Sequence, residues 1–378
     1  MQFIYIEDFA TLEQYCQSAR QQKLVAVDTE FVRTRTLYPN LGLLQAYDGK
    51  QLALIDPVAI DDLTPFWQLL EDENCQKIIH SCSEDLEVFL HSGNCKPANM
   101  IDSQILLSFL GHGLSMGYAA MVKHFLDIEI DKSESRTDWM KRPLTERQLD
   151  YAALDVWYLH QIAPKIIEQA SDAGFLQAAT DETQAQIDKK FTPIDATKLY
   201  LDNKQAWKLK PQQLNLLKAL LTWRYEQAVK RNLPFSFVAK DHTLMIVAQR
   251  NPQNVGAMAS YDGIEILDVR HKGKAMLNVL RAANKIPAEQ FPQALTRLDS
   301  YPGYKQIFKQ VKLKLTSLAQ QHNLDVQVVA GKRQINQFLC WFWKLNEQHN
   351  HPEKVELING WRKEMFKDEL VAFAESGF

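Results

Sequence analysis

Leu24-Val25-Ala26-Val27-Asp28-Thr29-Glu30-Phe31 is the stretch on which the fold turns. Four apolar residues in a row suit a buried strand, and the run ends on two acids two positions apart. Side chains alternate along a strand, so Asp28 and Glu30 share one face. Neighbouring carboxylates raise each other's pKa unless a cation neutralises them, and hard divalent ions favour carboxylate oxygens. Taken alone, such a pair is more often just the solvated end of a strand.

Outward from this run, the first half mixes strand and helix signals. Phe3 to Ile6 and Lys77 to His80 read as short strands. Leu41 to Tyr47 and Gln51 to Ile55 flank Asp48-Gly49-Lys50, a turn sequence that predicts a hairpin. Helical periodicity covers 11–21, 64–71, 83–92, 101–110, 115–126 and 145–170. This mixture predicts an α/β domain, a mixed central sheet flanked by helices.

The second half loses the strand signal. Leu214, Leu217, Leu220 and Leu221 recur at helical spacing, and helical patterns cover 241–250, 272–284, 304–321, 332–345 and 361–374. A shift of 91 residues lays Asn232-Leu233 on Asn323-Leu324, Phe237-Val238-Ala239 on Val328-Val329-Ala330, and Lys218 on Lys309. That match predicts two copies of one all-α module. The expected division is a first domain over 1–190, a linker over 191–209, and helical domains over 210–290 and 291–378.

Charge follows the same division. Residues 1–190 hold 16 Lys and Arg against 29 Asp and Glu, whereas 191–378 hold 27 against 17. An acidic part that holds cations and a basic part that meets a polyanion fit this asymmetry, as does plain attraction between the halves. No apolar run approaches the roughly 18 residues of a membrane span, and the acid-bearing start does not read as a secretory signal. The five cysteines, Cys16, Cys75, Cys82, Cys95 and Cys340, show no CxxC pair, so reduced thiols in a cytoplasmic protein are expected; a monomer is the separate expectation for its assembly.

Two further segments carry chemistry. In Ile79-His80-Ser81-Cys82-Ser83-Glu84-Asp85, a strand gives way to a helix with Asp85 in its first turn, where a capping acid is the ordinary reading. In Thr145-Glu146-Arg147-Gln148-Leu149-Asp150-Tyr151-Ala152-Ala153-Leu154-Asp155, Thr145 and Gln148 form a capping box. Tyr151 and Asp155 then share a helix face.

Taken in order, Asp28, Glu30, Asp85, Tyr151 and Asp155 resemble the signature of the DEDD exonuclease superfamily, in the branch that carries Tyr before the last Asp. Asp28 to Thr36, Asp131 to Trp139 and Arg142 to Thr145 are similar to ribonuclease D, and the helical modules resemble its HRDC domains, the second less closely. The resemblance implies a ribonuclease H-like exonuclease domain followed by HRDC-type domains. It implies 3′→5′ hydrolysis of RNA to 5′-mononucleotides by two divalent ions, Mg²⁺ or Mn²⁺, with transfer RNA precursors and other small structured RNAs as substrates. Asp28 would bridge both metals, Glu30 and Asp155 would complete the nucleophile-side metal, Asp85 would hold the other, and Tyr151 would orient the attacking water. Arg33, Arg35, Lys132, Arg136, Lys141 and Arg142 are candidate phosphate contacts near the site. Phe31, Tyr38 and Trp139 are candidates to stack on bases, with core packing equally open. Lys208, Lys210, Arg224, Lys230, Arg231, Arg270, Lys272 and Lys274 are candidate remote contacts. The rival readings are a DNA exonuclease, which these residues do not exclude, and an RNA-binding scaffold without catalysis, which would normally show a lost acid.

Overall fold

The computed structural model describes residues 1–131, 133–346 and 350–378. Lys132 therefore lies outside the described residues.

Six strands form one sheet: β1 (Phe3–Ile6), β2 (Leu24–Val32), β3 (Asn40–Tyr47), β4 (Leu52–Ile55), β5 (Gln76–Ile79) and β6 (Met100–Asp102). Their order is β1-β4-β3-β2-β5-β6, which places the acid-bearing β2 inside the sheet. The predicted hairpin is β3 and β4, and Asp48 closes its turn by accepting from the backbone N–H of Lys50 and Gln51. β2 runs antiparallel to β3 and parallel to β5. A bulge in β2 falls between Glu30 and Phe31. Such irregularities re-aim side chains beside active sites.

Seven helices pack around this sheet: α1 (Phe9–Ala19), α2 (Thr64–Glu71), α3 (Asp85–Val88), α4 (Ser103–Phe109), α5 (Tyr118–Leu126), α6 (Glu146–Asp172) and α7 (Leu176–Phe191). The sheet separates two apolar layers. Val25, Val27, Leu44 and Ala53 face α1 and α2, whereas Ala26, Leu43 and Leu54 face α6 through Ala152, Ala153 and Val156. The small alanines let α6 approach the sheet closely.

Two helix limits needed correction. The stretch 83–92 is helical but starts at Asp85 and passes from the one-turn α3 into a π-helix over Phe89–Gly93, and β6 occupies the start of the expected helix 101–110. Helix α7 carried no legible pattern, because the side chains it buries are mostly small or polar: Ala178, Ala179, Thr183 and Ile187. Of the two readings left open for Trp139, base stacking and core packing, the second holds: it is 1% exposed.

Gly42 explains how the segment around Trp139 lies on β3. A Cβ added at Gly42 would stand 2.7 Å from both the Trp139 carbonyl oxygen and its Cβ. Gly42→Ala must push that backbone away, with an expected cost of about 1–3 kcal/mol. Thermal unfolding that leaves Tm unchanged would show that the segment can shift freely.

The rest of the described chain contains no strand. The first helical module comprises α8 (Pro211–Arg231), α9 (Phe235–Val238), α10 (Asp241–Arg250), α11 (Val255–Ala259) and α12 (Ile266–Ala283). The second comprises α13 (Tyr304–Gln321), α14 (Val326–Val329), α15 (Lys332–Phe342) and α16 (Trp361–Glu375). The 91-residue shift lays α9 on α14 residue for residue. It also superposes Asn232 and Asn323, which both take a left-handed conformation, at φ 48° and 55°. Residues 191–209 are more than a tether. They form short 3₁₀ turns whose Leu199, Tyr200, Ala206 and Leu209 enter the core of the first module.

Both modules dock on the sheet domain. Asn232 at the end of α8 accepts the backbone N–H of Leu37 and Tyr38 through Oδ1, at 3.1 and 3.0 Å. In the second module, Trp361 and Arg362 both donate to Glu182 of α7 at 2.7 Å, and Trp361 packs edge-on against Phe109. Val311, Leu315, Phe338 and Leu370 of that module belong to the same apolar cluster as α6. A cut near residue 205 would therefore strip part of the sheet domain's own packing.

Candidate active site

β2 and α6 build a pocket of about 280 Å³, lined by Asp28, Glu30, His80, Tyr118, Tyr151 and Asp155. The Thr145–Gln148 capping box forms as expected, with the Gln148 N–H donating to Thr145 Oγ1 at 3.2 Å and the Thr145 N–H donating to Gln148 Oε1 at 3.1 Å. This fixes the start of α6, so Tyr151 and Asp155 face the pocket one turn apart. Asp85 stands beside Asp28 and is close enough to raise its own pKa through that neighbour. It is buried, at 6% exposed.

The electrostatics are those of acids crowded away from water. Burial is the largest cause of the upward shift at all four carboxyls. Asp28 is raised further by Asp155, Glu30 by Asp28, Asp155 and Asp85, and Asp85 by Asp28. Asp155 is pushed up to about 8. The Tyr151 phenol is also raised, by burial and then by Asp155, Glu30 and Asp28. Among the described lining residues there is no Lys or Arg to offset these charges. Four hard oxygen donors without a protein counter-charge fit a divalent cation. Among the described residues, however, no three His, Cys, Asp or Glu side chains already stand in chelating geometry. A cation would still have to draw the acids together.

Several supporting residues had no role in the sequence reading. Thr29, between the two acids on β2, donates its hydroxyl to Asp85 Oδ1 at 2.5 Å and so anchors that acid. Tyr118 donates to the backbone carbonyls of Leu154 and Asp155, pinning α6 at the turn that presents Asp155. His80 sits edge-on to Tyr118, with its Nδ1 2.8 Å from Ser103 Oγ. No periodicity marks these residues, because each matters through one long-range contact.

The candidate RNA contacts divide. Arg142 is not available to phosphate: its guanidinium grips Asp56 with two 2.6 Å bonds and donates to the Gly42 carbonyl. Arg33 is paired with Glu87 at 2.6 Å and donates to the Leu37 carbonyl. Arg35, Arg136 and Lys141 are exposed. Phe31 packs against the core layer beneath β2, and Tyr38 lies on His91 with ring centres 3.7 Å apart. In the first module, Arg224 is taken by Asp241 and lies over Phe235, whereas Lys208, Lys210, Lys230, Arg231, Arg270 and Lys274 are exposed and Lys272 is half-buried. A second cleft of about 960 Å³ lies in this module, bordered by Lys204, Lys208, Tyr225 and Phe235.

A mixed sheet carrying a Tyr and four acids in this order defines a 3′→5′ exonuclease of the DEDD class, whose members depend on divalent metal. Residues 3–170 match the 3′-5′ exonuclease family, 213–280 the HRDC domain, and 302–370 the ribonuclease D C-terminal HRDC domain. The chain is 43% identical to ribonuclease D of Cronobacter turicensis over 355 residues, covering 94% of this chain and 95% of that one. It is 41% identical to ribonuclease D of Escherichia coli, covering 95% of each. The crystal structure of Escherichia coli RNase D, described as an exoribonuclease involved in structured RNA processing, superposes with a TM-score of 0.95. That match is at 40% identity and covers 100% of this chain and 99% of that one. The chain belongs to the ribonuclease D family and is a 3′→5′ exoribonuclease.

Proposed function

We propose that Asp28, Glu30, Asp85 and Asp155 hold two divalent cations, Mg²⁺ or Mn²⁺, and that Tyr151 orients the attacking water. What carries this reading is the crowding of four acids: Asp28, Glu30 and Asp155 line one pocket that holds no Lys or Arg among its described lining residues, and the buried Asp85 stands beside Asp28. When bound, the cations supply acidity to the attacking water and stabilise charge on the leaving 3′-oxygen. Asp28, whose charge acts on both Glu30 and Asp85, would bridge, Glu30 and Asp155 would serve the nucleophile side, and Asp85, steadied by Thr29, would serve the leaving group. The Tyr151 phenol is held protonated by its surroundings, so its hydroxyl acts as a hydrogen-bonding positioner rather than a base.

Tyr151→Phe is therefore expected to lower kcat by about a hundredfold or more while metal affinity stays near wild type. Equal loss of metal in Tyr151→Phe and Asp155→Ala, read by calorimetry, would contradict this division of labour.

The substrates proposed are transfer RNA precursors and other small structured RNAs, acted on by a cytoplasmic monomer. No described helix is long and apolar enough to cross a membrane. The exposed lysines and arginines of the first module, with its cleft, would hold RNA away from the metals through salt-dependent phosphate contacts. The domain limits proposed remain 1–190, 210–290 and 291–378, with 191–209 joining them. The direct test incubates a 3′-tailed transfer RNA with Mg²⁺ and compares wild type, Asp155→Ala and chelator. Stepwise release of 5′-mononucleotides by metal-loaded wild type alone supports the reading. Equal release with chelator, or from Asp155→Ala, refutes it.

A further inference from the structure

Gln45 stands in the middle of β3, a strand whose other buried side chains are apolar apart from Tyr47 at its end. It is 0% exposed, and neither its Oε1 nor its Nε2 has a hydrogen-bond partner. A sealed carboxamide with both ends unmet is costly, and in a folded protein it calls for a reason. An apolar side chain of the same size would satisfy the strand better. Gln45 packs between Asp28 on β2 and Leu54 on β4, which are its direct partners in the two antiparallel ladders.

The register supplies the reason. Directly opposed residues on antiparallel strands project to the same face, with Cβ atoms about 4.5–5.5 Å apart. The face is known from the neighbours: Leu43 and Tyr47, two positions either side of Gln45, belong to the layer beneath α6, as does Ala26, two before Asp28. Gln45 therefore lies on the α6 side of the sheet, next to Asp28 and behind the pocket that Asp28 lines. Asp28 accepts from the backbone N–H of Thr29, and no side chain donates to it among the hydrogen bonds of the described residues.

We infer that Gln45 is a positioning residue for Asp28, its carboxamide N–H donating to the Asp28 carboxylate when that acid holds metal. This rests on the reading of Asp28 as a metal ligand. Carboxylate ligands are ordinarily held by such outer hydrogen bonds, whose loss weakens metal binding about ten- to a hundredfold. Without a cation, both amide atoms of Gln45 stay unmet beside Asp28. The amide is a partner held in reserve, and its cost is borne by the metal-free fold.

The test sets stability against metal affinity. Gln45→Met keeps the volume and removes both orphaned atoms, so the metal-free protein should unfold at the same or a higher temperature. Its dissociation constant for Mn²⁺, measured by calorimetry without RNA, should rise about tenfold. Gln45→Glu keeps the shape without an N–H donor and should likewise lose affinity. Unchanged Mn²⁺ affinity in Gln45→Met overturns the inference, as does a lower metal-free Tm with affinity intact, which marks plain packing. If wild type and Asp155→Asn bind Mn²⁺ alike, the metal reading of the four acids has failed instead, whatever Gln45 does.

Discussion

Asp155→Asn is expected to abolish hydrolysis, by at least about a thousandfold, while making the metal-free protein more stable. The two effects share one cause. Asp155 is buried among acids, and its folded pKa of about 8 lies far above the roughly 3.9 of an unfolded aspartate. A folded pKa raised in this way favours the protonated fold. The stability it contributes is complete below pH about 4 and is lost as pH rises through about 8. The metal-free wild type should therefore lose Tm across that window, and Asp155→Asn should lose less. Added Mg²⁺ binds the ionised acids and should restore the wild type but not the variant. Thermal melts with and without chelator, from acid to mildly alkaline pH, read this directly. Parallel Tm curves for the two proteins, or hydrolysis by the variant near the wild-type rate, would show that Asp155 is not among the repelling ligands.

Arg142→Ala should be the most damaging change outside the acids, costing about 3–5 kcal/mol. Arg142 joins the segment before α6 to the end of the hairpin: its guanidinium meets both oxygens of Asp56, and it also donates to the carbonyls of Gly42 and Trp139. Asp56 is 2% exposed and also accepts from the Tyr5 hydroxyl and the Val58 N–H. Removing the arginine strands a buried carboxylate, which is worse than removing both partners. Arg142→Met combined with Asp56→Leu should recover part of the loss. Asp56 has a pKa lowered in the fold: burial opposes that shift, but the hydrogen bonds from Arg142, Tyr5 and Val58 and the Arg142 charge outweigh it. Its share of stability is therefore present above the unfolded pKa near 4 and is lost as pH falls through the folded value. Denaturant unfolding at neutral pH checks the magnitude. A cost below about 1 kcal/mol would mean that Asp56 finds water when the arginine is gone.

The role of Arg142 shows where sequence reading stops. Next to the acids of the site, an arginine reads as a phosphate ligand, and only the approach of Asp56, 86 positions away in sequence, makes it structural. For Trp139, open in the sequence between base platform and core, a distant residue likewise decided: Gly42 lets its backbone lie close on β3.

What the sequence determined by itself was local and periodic. Alternation put Asp28 and Glu30 on one face, the capping box set the phase of Tyr151 and Asp155, and a 91-residue shift foretold the doubled helical module. These are consequences of backbone geometry within a few residues, or of similarity between segments, and they survive without knowledge of the fold. Tertiary structure alone decided what depends on the meeting of distant segments. It put Thr29 against Asp85 and Gln45 across from Asp28, and it joined the second module to α7 through Glu182, Trp361 and Arg362. A polar side chain carries no mark of which partner it will meet, because strand register and domain docking are set by the summed burial of many apolar residues elsewhere.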